Sequence, residues 1–222
     1  MNRNEQIHIK VILLGGYNSG KTALISRYFE NAYLDGDSPS IGASLKTETI
    51  EDRANRRTFV LNVWDTVGME RFMSINATYV RDTSVVLLIV EANERESLNS
   101  AEHYFEMVQN NNSSNPEIIL VVTKIDTISG FTKHMEVTEA FCRKMNYYDK
   151  LMQFAERKHI EHVFWTSAKE DGLNVDMLFH HITDKLLSSS TQVPVNMGSF
   201  AINQIPPESR CFVRRFFDWI WG

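Results

Sequence analysis

A glycine-rich stretch near the start of the chain places a lysine and a hydroxyl group at a spacing suited to phosphate binding. It reads Gly15-Gly16-Tyr17-Asn18-Ser19-Gly20-Lys21-Thr22 and fits G-x-x-x-x-G-K-[ST] at every fixed position. In such a loop, free backbone N–H groups and the positive end of a helix dipole face the anion. Lys21 is expected to reach the outer phosphates of a nucleotide, and the Thr22 hydroxyl to bind Mg²⁺. The alternative, a chance glycine turn before a helix, does not account for the complete pattern.

The segments on either side of this loop have the patterns that a phosphate-binding loop requires. Residues 7–14 alternate and then become wholly apolar, which is typical of a strand entering a buried sheet. A helix is expected from about Gly20 to Tyr33. Strand, loop and helix N-terminus together predict an anion site.

A second acidic element follows a predicted hairpin of two strands, residues 44–50 and 57–65. The second strand ends at Asp65, and Gly68 follows three residues later. An aspartate at the end of a strand beside a phosphate loop can hold the Mg²⁺ shell, and the bare N–H of Gly68 can donate to a γ-phosphate. A D-x-x-G turn is weak evidence alone and gains weight from its position.

Two further buried strands end in polar motifs. Residues 117–122 lead into Thr123-Lys124-Ile125-Asp126, and residues 162–165 lead into Thr166-Ser167-Ala168-Lys169. Between these strands, apolar residues at 137–155 recur with helical periodicity. Strands alternating with helices predict an α/β fold with a six-stranded, mostly parallel sheet and helices on both faces. Ligands of such sheets bind at the carboxyl ends of the strands, where all four motifs fall.

Composition limits the class of protein. The 222 residues are 43% hydrophobic and 23% charged, which suits one sizeable α/β domain and a tail. The net charge of −5 argues against nucleic acid as a partner. Two cysteines without metal spacing, no signal peptide and no apolar run of membrane-spanning length suggest a cytoplasmic location, with peripheral contact to an intracellular membrane left open.

With these motifs placed, the chain resembles the Ras superfamily of small GTPases, and within it the Rab branch. Residues 64–72, Trp-Asp-Thr-Val-Gly-Met-Glu-Arg-Phe, are similar to the Rab segment WDTAGQERF. Residues 41–45 resemble the Rab segment IGVDF in their first two positions. The resemblance implies a P-loop NTPase G-domain over residues 6–188 that binds GTP or GDP with Mg²⁺.

The resemblance also implies a guanine site. Asp126 would accept the N–H groups of guanine, Lys124 and Tyr33 would cover the faces of the base, and Ala168 would offer its N–H to O6. A site built on such hydrogen bonds discriminates strongly between bases. The implied nucleotide contacts are Gly15, Tyr17, Asn18, Ser19, Gly20, Lys21, Thr22, Ala23, Tyr33, Ser40, Gly68, Thr123, Lys124, Asp126, Ser167, Ala168 and Lys169.

Ser40 stands where the family has the threonine that binds Mg²⁺ in the GTP state, so the implied metal ligands are Thr22, Ser40 and Asp65. Two mobile loops, about residues 34–42 and 68–78, would be ordered by the γ-phosphate and relaxed without it. Effector and regulator proteins are expected to bind through residues 34–45 and 66–78.

Two departures from the family pattern bear on hydrolysis. Tyr17 stands where a small residue is usual, and Met69 replaces the glutamine that orients the attacking water. Both predict slow GTP hydrolysis, unless Tyr17 points outward and another group orients the water. The leading hypothesis is a Rab-like switch in membrane traffic. The alternatives are a hydrolysis-deficient nucleotide-binding interaction module and, against the Thr123–Asp126 motif, a P-loop kinase or ATPase.

Two segments fall outside the family pattern. The chain between Asp126 and Ser167 is longer than usual, with extra length near residues 129–148 that is expected to extend a helix on the outside of the domain; a partner-specific contact is the alternative. Residues 189–210 are expected to be a flexible linker. Residues 211–222 form an aromatic amphipathic segment without prenylation cysteines, expected to contact a membrane or to dock on protein.

Overall fold

The sheet of this protein has six strands that pair in the order β2-β3-β1-β4-β5-β6. The computed structural model describes residues 5–33, 43–52, 56–68, 73–112, 114–170 and 172–189. The strands are β1 (Glu5–Gly15), β2 (Ser44–Asp52), β3 (Arg57–Asp65), β4 (Val85–Glu91), β5 (Glu117–Thr123) and β6 (His162–Trp165). Only the hairpin partner β2 runs antiparallel; the other neighbours pair in parallel. The predicted fold class is confirmed.

Strand β1 lies at the centre because its sequence is apolar on both faces. It pairs with β3 on one side and β4 on the other, and Val11 through Leu14 are fully buried. Period-two alternation sends Ile12 and Leu14 to one face and Val11 and Leu13 to the other. A strand buried on both faces needs helices above and below the sheet.

In the described part of the chain, six α-helices cover the sheet: α1 (Lys21–Glu30), α2 (Met73–Val80), α3 (Glu96–Asn111), α4 (Glu139–Cys142), α5 (Tyr148–Arg157) and α6 (Val175–Ser189). One core contains Leu24 and Ile25 of α1 with Leu178 and Phe179 of α6. The other contains residues of α2, α3, α4 and α5, among them Val80, Tyr104, Phe141 and Phe154. The cores lie on opposite faces, as expected for this fold.

Three helix predictions require correction. Helix α1 ends at Glu30 rather than near Tyr33, since Asn31 adopts a left-handed conformation with φ 48° and closes the helix. Residues 68–78 were expected to form a mobile loop, but helix α2 begins at Met73. Residues 137–155 show helical periodicity throughout, yet they form two helices, because the chain turns between Cys142 and Tyr148.

The extra length near residues 129–148 is not a helix extension on the outside. It consists of turns and the four-residue helix α4, and its apolar side chains face the protein interior. Val137, Phe141, Met145 and Tyr147 are buried in the same core as α3 and α5. The expectation of an external helix is therefore wrong, because the apolar residues of this segment pack into the core.

Several predictions fall outside the described residues. They concern Ser40, Met69, most of the linker at 189–210 and the whole segment 211–222. Among the helices of the described ranges, none combines the length and hydropathy needed to cross a bilayer.

Candidate functional site

The glycine-rich loop connects the end of β1 to the start of α1 at the carboxyl edge of the sheet. Strand β1 ends at Gly15 and helix α1 starts at Lys21. Gly20 caps the helix with φ 88°, a left-handed conformation that glycine adopts without steric cost. A turn closes where Ser19 N donates to Gly16 O over 3.4 Å. The loop therefore has the strand–turn–helix context that its sequence predicts.

Lys21 lies inside this loop. Its ammonium donates to Gly15 O over 3.0 Å, to Gly16 O over 2.7 Å and to Ser19 Oγ over 3.2 Å. Burial lowers the pKa of Lys21 to about 8, against the opposing effect of the Asp65 carboxylate. A phosphate held by the loop would favour the charged ammonium. The lysine is thus placed where phosphate oxygens complete its electrostatic environment.

Thr22 and Asp65 meet at the edge of the loop, as a Mg²⁺ site requires. Thr22 Oγ1 donates to Asp65 Oδ2 over 2.6 Å. Asp65 is 3% exposed, and its second oxygen, Oδ1, is buried without a hydrogen-bond partner among the described residues. Burial raises the pKa of Asp65, while Thr22 and Lys21 oppose the shift. An orphaned carboxylate oxygen beside a hydroxyl fits a hard cation such as Mg²⁺, which prefers oxygen ligands.

Gly68 lies against the loop so closely that no side chain fits there. A Cβ at this position would stand 2.6 Å from Lys21 Nζ. Asn76 of α2 holds the preceding backbone in place by donating to Val67 O over 2.9 Å. The backbone of Gly68 is therefore positioned beside Lys21, where the sequence predicts a γ-phosphate contact.

Thr123, at the end of β5, links the base motif to the phosphate loop. Its buried hydroxyl lies 2.7 Å from Ser19 O and 3.1 Å from Val90 O. A Cβ on Gly20 would be in ordinary contact with Thr123, 3.5 Å from its Cβ. The threonine thus fixes the phosphate loop against β4 and β5. Its hydroxyl has a structural role at the first position of the base motif.

Asp126 and Ser167 come together although 41 residues separate them. Ser167 Oγ donates to Asp126 Oδ1 over 2.6 Å and accepts from Glu170 N over 3.2 Å. The backbones are joined as well, since Ile125 N donates to Thr166 O over 3.3 Å. The hydroxyl thereby orients the carboxylate that is predicted to read the base.

The neighbouring Ala168 is also positioned. Arg27 of α1 donates from Nε to Ala168 O over 2.7 Å, which holds the backbone of the motif at residues 166–169 against the helix that follows the phosphate loop. Arg27 was not predicted from the sequence. The available signal was a basic residue in the last turn of α1.

Glu91 is a second residue that sequence analysis missed. Lys124 Nζ lies 2.8 Å from Glu91 Oε2, and this pair is only partly exposed. Tyr147, from the extra segment, donates its hydroxyl to Glu91 O and lies 3.3 Å from Ser97 Oγ. The signal was present: Glu91 is the acidic residue that ends the apolar strand β4, at the edge where the other motifs lie.

The remaining predicted residues differ in exposure, and two of them lie outside the described residues. Tyr17 is 59% exposed, Asn18 and Lys169 are exposed, and Ala23 is partly buried in the first turn of α1. Tyr33 is partly buried, three residues beyond the end of α1. Ser40 and Met69 fall outside the described residues, so their roles rest on sequence.

Comparison with known proteins assigns the family. A model of the Ras family matches residues 10–188. The chain is 27% identical to Ras-related protein Rab-12 of Mus musculus over 207 residues, covering 93% of this chain and 79% of that protein. It is 31% identical to the Ras-like GTP-binding protein RYL2 of Yarrowia lipolytica, covering 82% of this chain and 83% of that protein. Human Ras-related protein Rab-22A is 23% identical over 91% of this chain and 95% of its own length.

Phosphate loop, acidic strand end and base motif, on a six-stranded sheet with one antiparallel edge strand, define a small GTPase. The chain belongs to the Ras family, and its similarity is to Rab proteins.

Proposed function

We propose that this protein is a Rab-like molecular switch that binds GTP and GDP with Mg²⁺, hydrolyses GTP slowly and acts in membrane traffic. The observation that carries the guanine assignment is the hydrogen bond from Ser167 Oγ to Asp126 Oδ1 at 2.6 Å. This hydrogen bond holds the Asp126 carboxylate, which follows β5, against the segment that follows β6. Oriented in this way, the carboxylate can accept the N1–H and N2–H groups of guanine, whereas adenine presents no such pair.

The phosphate end of the site supports the same proposal. Lys21 supplies a buried ammonium, and Thr22 with Asp65 supplies oxygen ligands for Mg²⁺, which would neutralise charge between phosphate oxygens. Gly68 lies beside Lys21, so a γ-phosphate would contact the segment that begins residues 66–78. That contact gives the GTP state a direct effect on a surface where effector and regulator proteins are proposed to bind.

Slow hydrolysis is proposed from two substitutions. The Tyr17 side chain is 59% exposed on the phosphate loop. This exposure matches the outward orientation of the side chain, so the proposed effect of Tyr17 is to crowd the approach of an activating arginine to the γ-phosphate, and slow intrinsic hydrolysis is proposed chiefly from Met69. Met69 has a thioether in place of an amide and cannot orient water by donating and accepting together. The same substitutions support a second candidate function, an interaction module that binds nucleotide without turnover. Absence of any GTP hydrolysis in a single-turnover experiment would favour this second function.

Protein and membrane contacts complete the proposal. Leu45, at the end of residues 34–45, is 46% exposed and is therefore accessible for the proposed effector contact. Residues 211–222, which lie outside the described residues, would supply a peripheral membrane contact or dock on protein.

The nucleotide that the purified protein carries tests the proposal. The protein is denatured, the released nucleotide is separated by ion exchange, and the analysis is repeated after hours with Mg²⁺. Bound GTP that persists supports a slow switch, and GDP supports a switch whose hydrolysis proceeds by another group. Affinity for GDP is then compared with affinity for ADP. Absence of guanine nucleotide, or equal affinity for ADP, would overturn the guanine assignment.

A further inference from the structure

Two histidines and a glutamate lie together at the end of the sheet that is remote from the nucleotide motifs. Glu117 is the first residue of β5 and His162 is the first residue of β6, whereas the base motifs follow the last residues of these strands. His181 comes from the middle of α6. Three separate elements therefore bring their side chains to one place.

The register of the sheet explains why the three side chains face each other. Ile119 of β5 pairs with His162 of β6, and Glu117 lies two residues before Ile119, so all three point to the same face. Helix α6 covers this face, with Leu178 and Ile182 in the core that contains Ile119. His181 lies next to Ile182 and reaches the strand ends beside the core.

The potential ligand atoms are close together and largely shielded from solvent. His162 Nε2 and His181 Nε2 each lie 3.9 Å from Glu117 Oε1, and all three ligand atoms fall within 4.8 Å of one another. The imidazole rings are in edge contact, with centroids 4.3 Å apart. His181 Nε2 is buried without a hydrogen-bond partner among the described residues. A buried polar atom without a partner is costly, which points to a missing ligand.

The three side chains are of types that bind a divalent metal ion. Glu117 offers a carboxylate oxygen, and His162 and His181 each offer a ring nitrogen, the atom by which a neutral imidazole binds a metal.

We infer that Glu117, His162 and His181 bind one divalent transition-metal ion, with Zn²⁺ the best match. Two imidazoles and one carboxylate are a common zinc ligand set that leaves a fourth position for water. Tetrahedral zinc, with bonds of about 2.0–2.2 Å, places ligand atoms about 3.4 Å apart. The two pairs at 3.9 Å would have to close by about 0.5 Å, which rotation of the side chains can provide.

Lys185 is the competitor for this site. Its ammonium lies 2.7 Å from Glu117 Oε1, and its side chain is 46% exposed. A long, half-exposed lysine can swing into solvent when a metal ion takes its place beside the carboxylate. Removal of the lysine therefore distinguishes a metal site from an ion-pair cluster. At a metal site, metal binding should become stronger, whereas in an ion-pair cluster the only effect would be loss of the ion pair.

The experiment titrates the full chain, without a histidine tag, after removal of metal by a chelator and gel filtration. Excess Mg²⁺ and GDP occupy the nucleotide site. Co²⁺ is added first, since its visible absorption reports tetrahedral coordination, and Zn²⁺ is then measured by calorimetry. The test variants are His181→Gln, Glu117→Gln and Lys185→Met. The matched control is His180→Gln, because His180 is the adjacent, exposed residue of the same helix.

The expected result is one equivalent of Zn²⁺ bound by the wild type and by His180→Gln, with tetrahedral Co²⁺ absorption. His181→Gln and Glu117→Gln should weaken binding by about tenfold or more, since even outer-shell changes at metal sites cost 10- to 100-fold. Lys185→Met should bind more tightly. Circular dichroism shows whether each variant is folded.

Two results would overturn the inference. One is that the wild type and Lys185→Met bind no zinc beyond the nucleotide site. The other is that folded His181→Gln binds zinc as His180→Gln does. Because zinc is measured directly, failure here leaves the guanine-nucleotide proposal standing, and loss of GDP binding leaves the zinc result readable.

Discussion

Lys124 Nζ lies 2.8 Å from Glu91 Oε2, so the residue that is predicted to cover one face of the base is held by the end of the adjacent strand β4. Tyr147, from a segment that the family pattern does not include, donates its hydroxyl to the backbone carbonyl of that same glutamate. The extra segment thereby reaches the base site through one intermediary.

Glu91→Gln should release the Lys124 side chain. GDP is then expected to dissociate about threefold to tenfold faster, the change that corresponds to roughly 1 kcal/mol for a partly buried pair. Stopped-flow release of a fluorescent GDP analogue measures the rate. Glu106→Gln, an exposed change on α3, is the control. Equal rates for Glu91→Gln and the wild type would show that the pair does not hold Lys124 in place.

Thr123→Val tests the link between base motif and phosphate loop. The valine keeps the shape but leaves Ser19 O without its donor, so the free energy of unfolding should fall by about 1–3 kcal/mol and GDP should dissociate faster. Thr166→Val is the matched control, because its buried hydroxyl donates to Val122 O, away from the loop. Both variants should lose stability, measured by denaturant unfolding, and only Thr123→Val should alter nucleotide release.

The sheet was predictable because its signals are local. Apolar runs such as residues 117–122 indicate buried strands, and the glycine loop marks the crossover from β1 to α1. The placing of Asp126 also followed from topology, since the carboxyl ends of parallel strands meet at one edge. Most of the candidate site residues could therefore be proposed from motif spacing and sheet geometry.

What could not be predicted depends on contacts between residues that are far apart in sequence. Arg27 meets Ala168 across 141 residues, and Glu117 meets His181 across three elements. The segment at 129–148 has helical periodicity, but Phe141 is buried against the core rather than outside it. Periodicity reports which residues are buried and does not report where the chain turns.

Phe141→Ala should show that the extra segment is part of the core. Truncation of a buried phenylalanine costs about 3–5 kcal/mol in the free energy of unfolding. Glu136→Ala, an exposed change in the same segment, should stay within about 0.5 kcal/mol of the wild type. Urea unfolding of both variants gives the comparison. A Phe141→Ala variant as stable as Glu136→Ala would mean that the segment is only loosely attached.

Tyr17→Gly and Met69→Gln should each accelerate GTP hydrolysis. The first clears the approach to the γ-phosphate, and the second restores a side chain that can orient water. The double variant is expected to hydrolyse about tenfold faster or more in a single turnover, measured as released phosphate. Tyr17→Phe is the control, since it keeps the bulk and should remain slow. An unchanged rate of GTP hydrolysis in the double variant would mean that neither residue limits hydrolysis.

The most direct test of the central claim is the nucleotide preference of Asp126→Asn. An asparagine can accept only one of the two guanine N–H groups, and its own N–H₂ suits the C2 carbonyl of xanthine. The affinity of the variant for GDP is expected to fall by about 100-fold or more, and its affinity for xanthosine diphosphate is expected to rise. Asp184→Asn, an exposed change on α6, should bind GDP as the wild type does. An Asp126→Asn variant that keeps full affinity for GDP would contradict the guanine site.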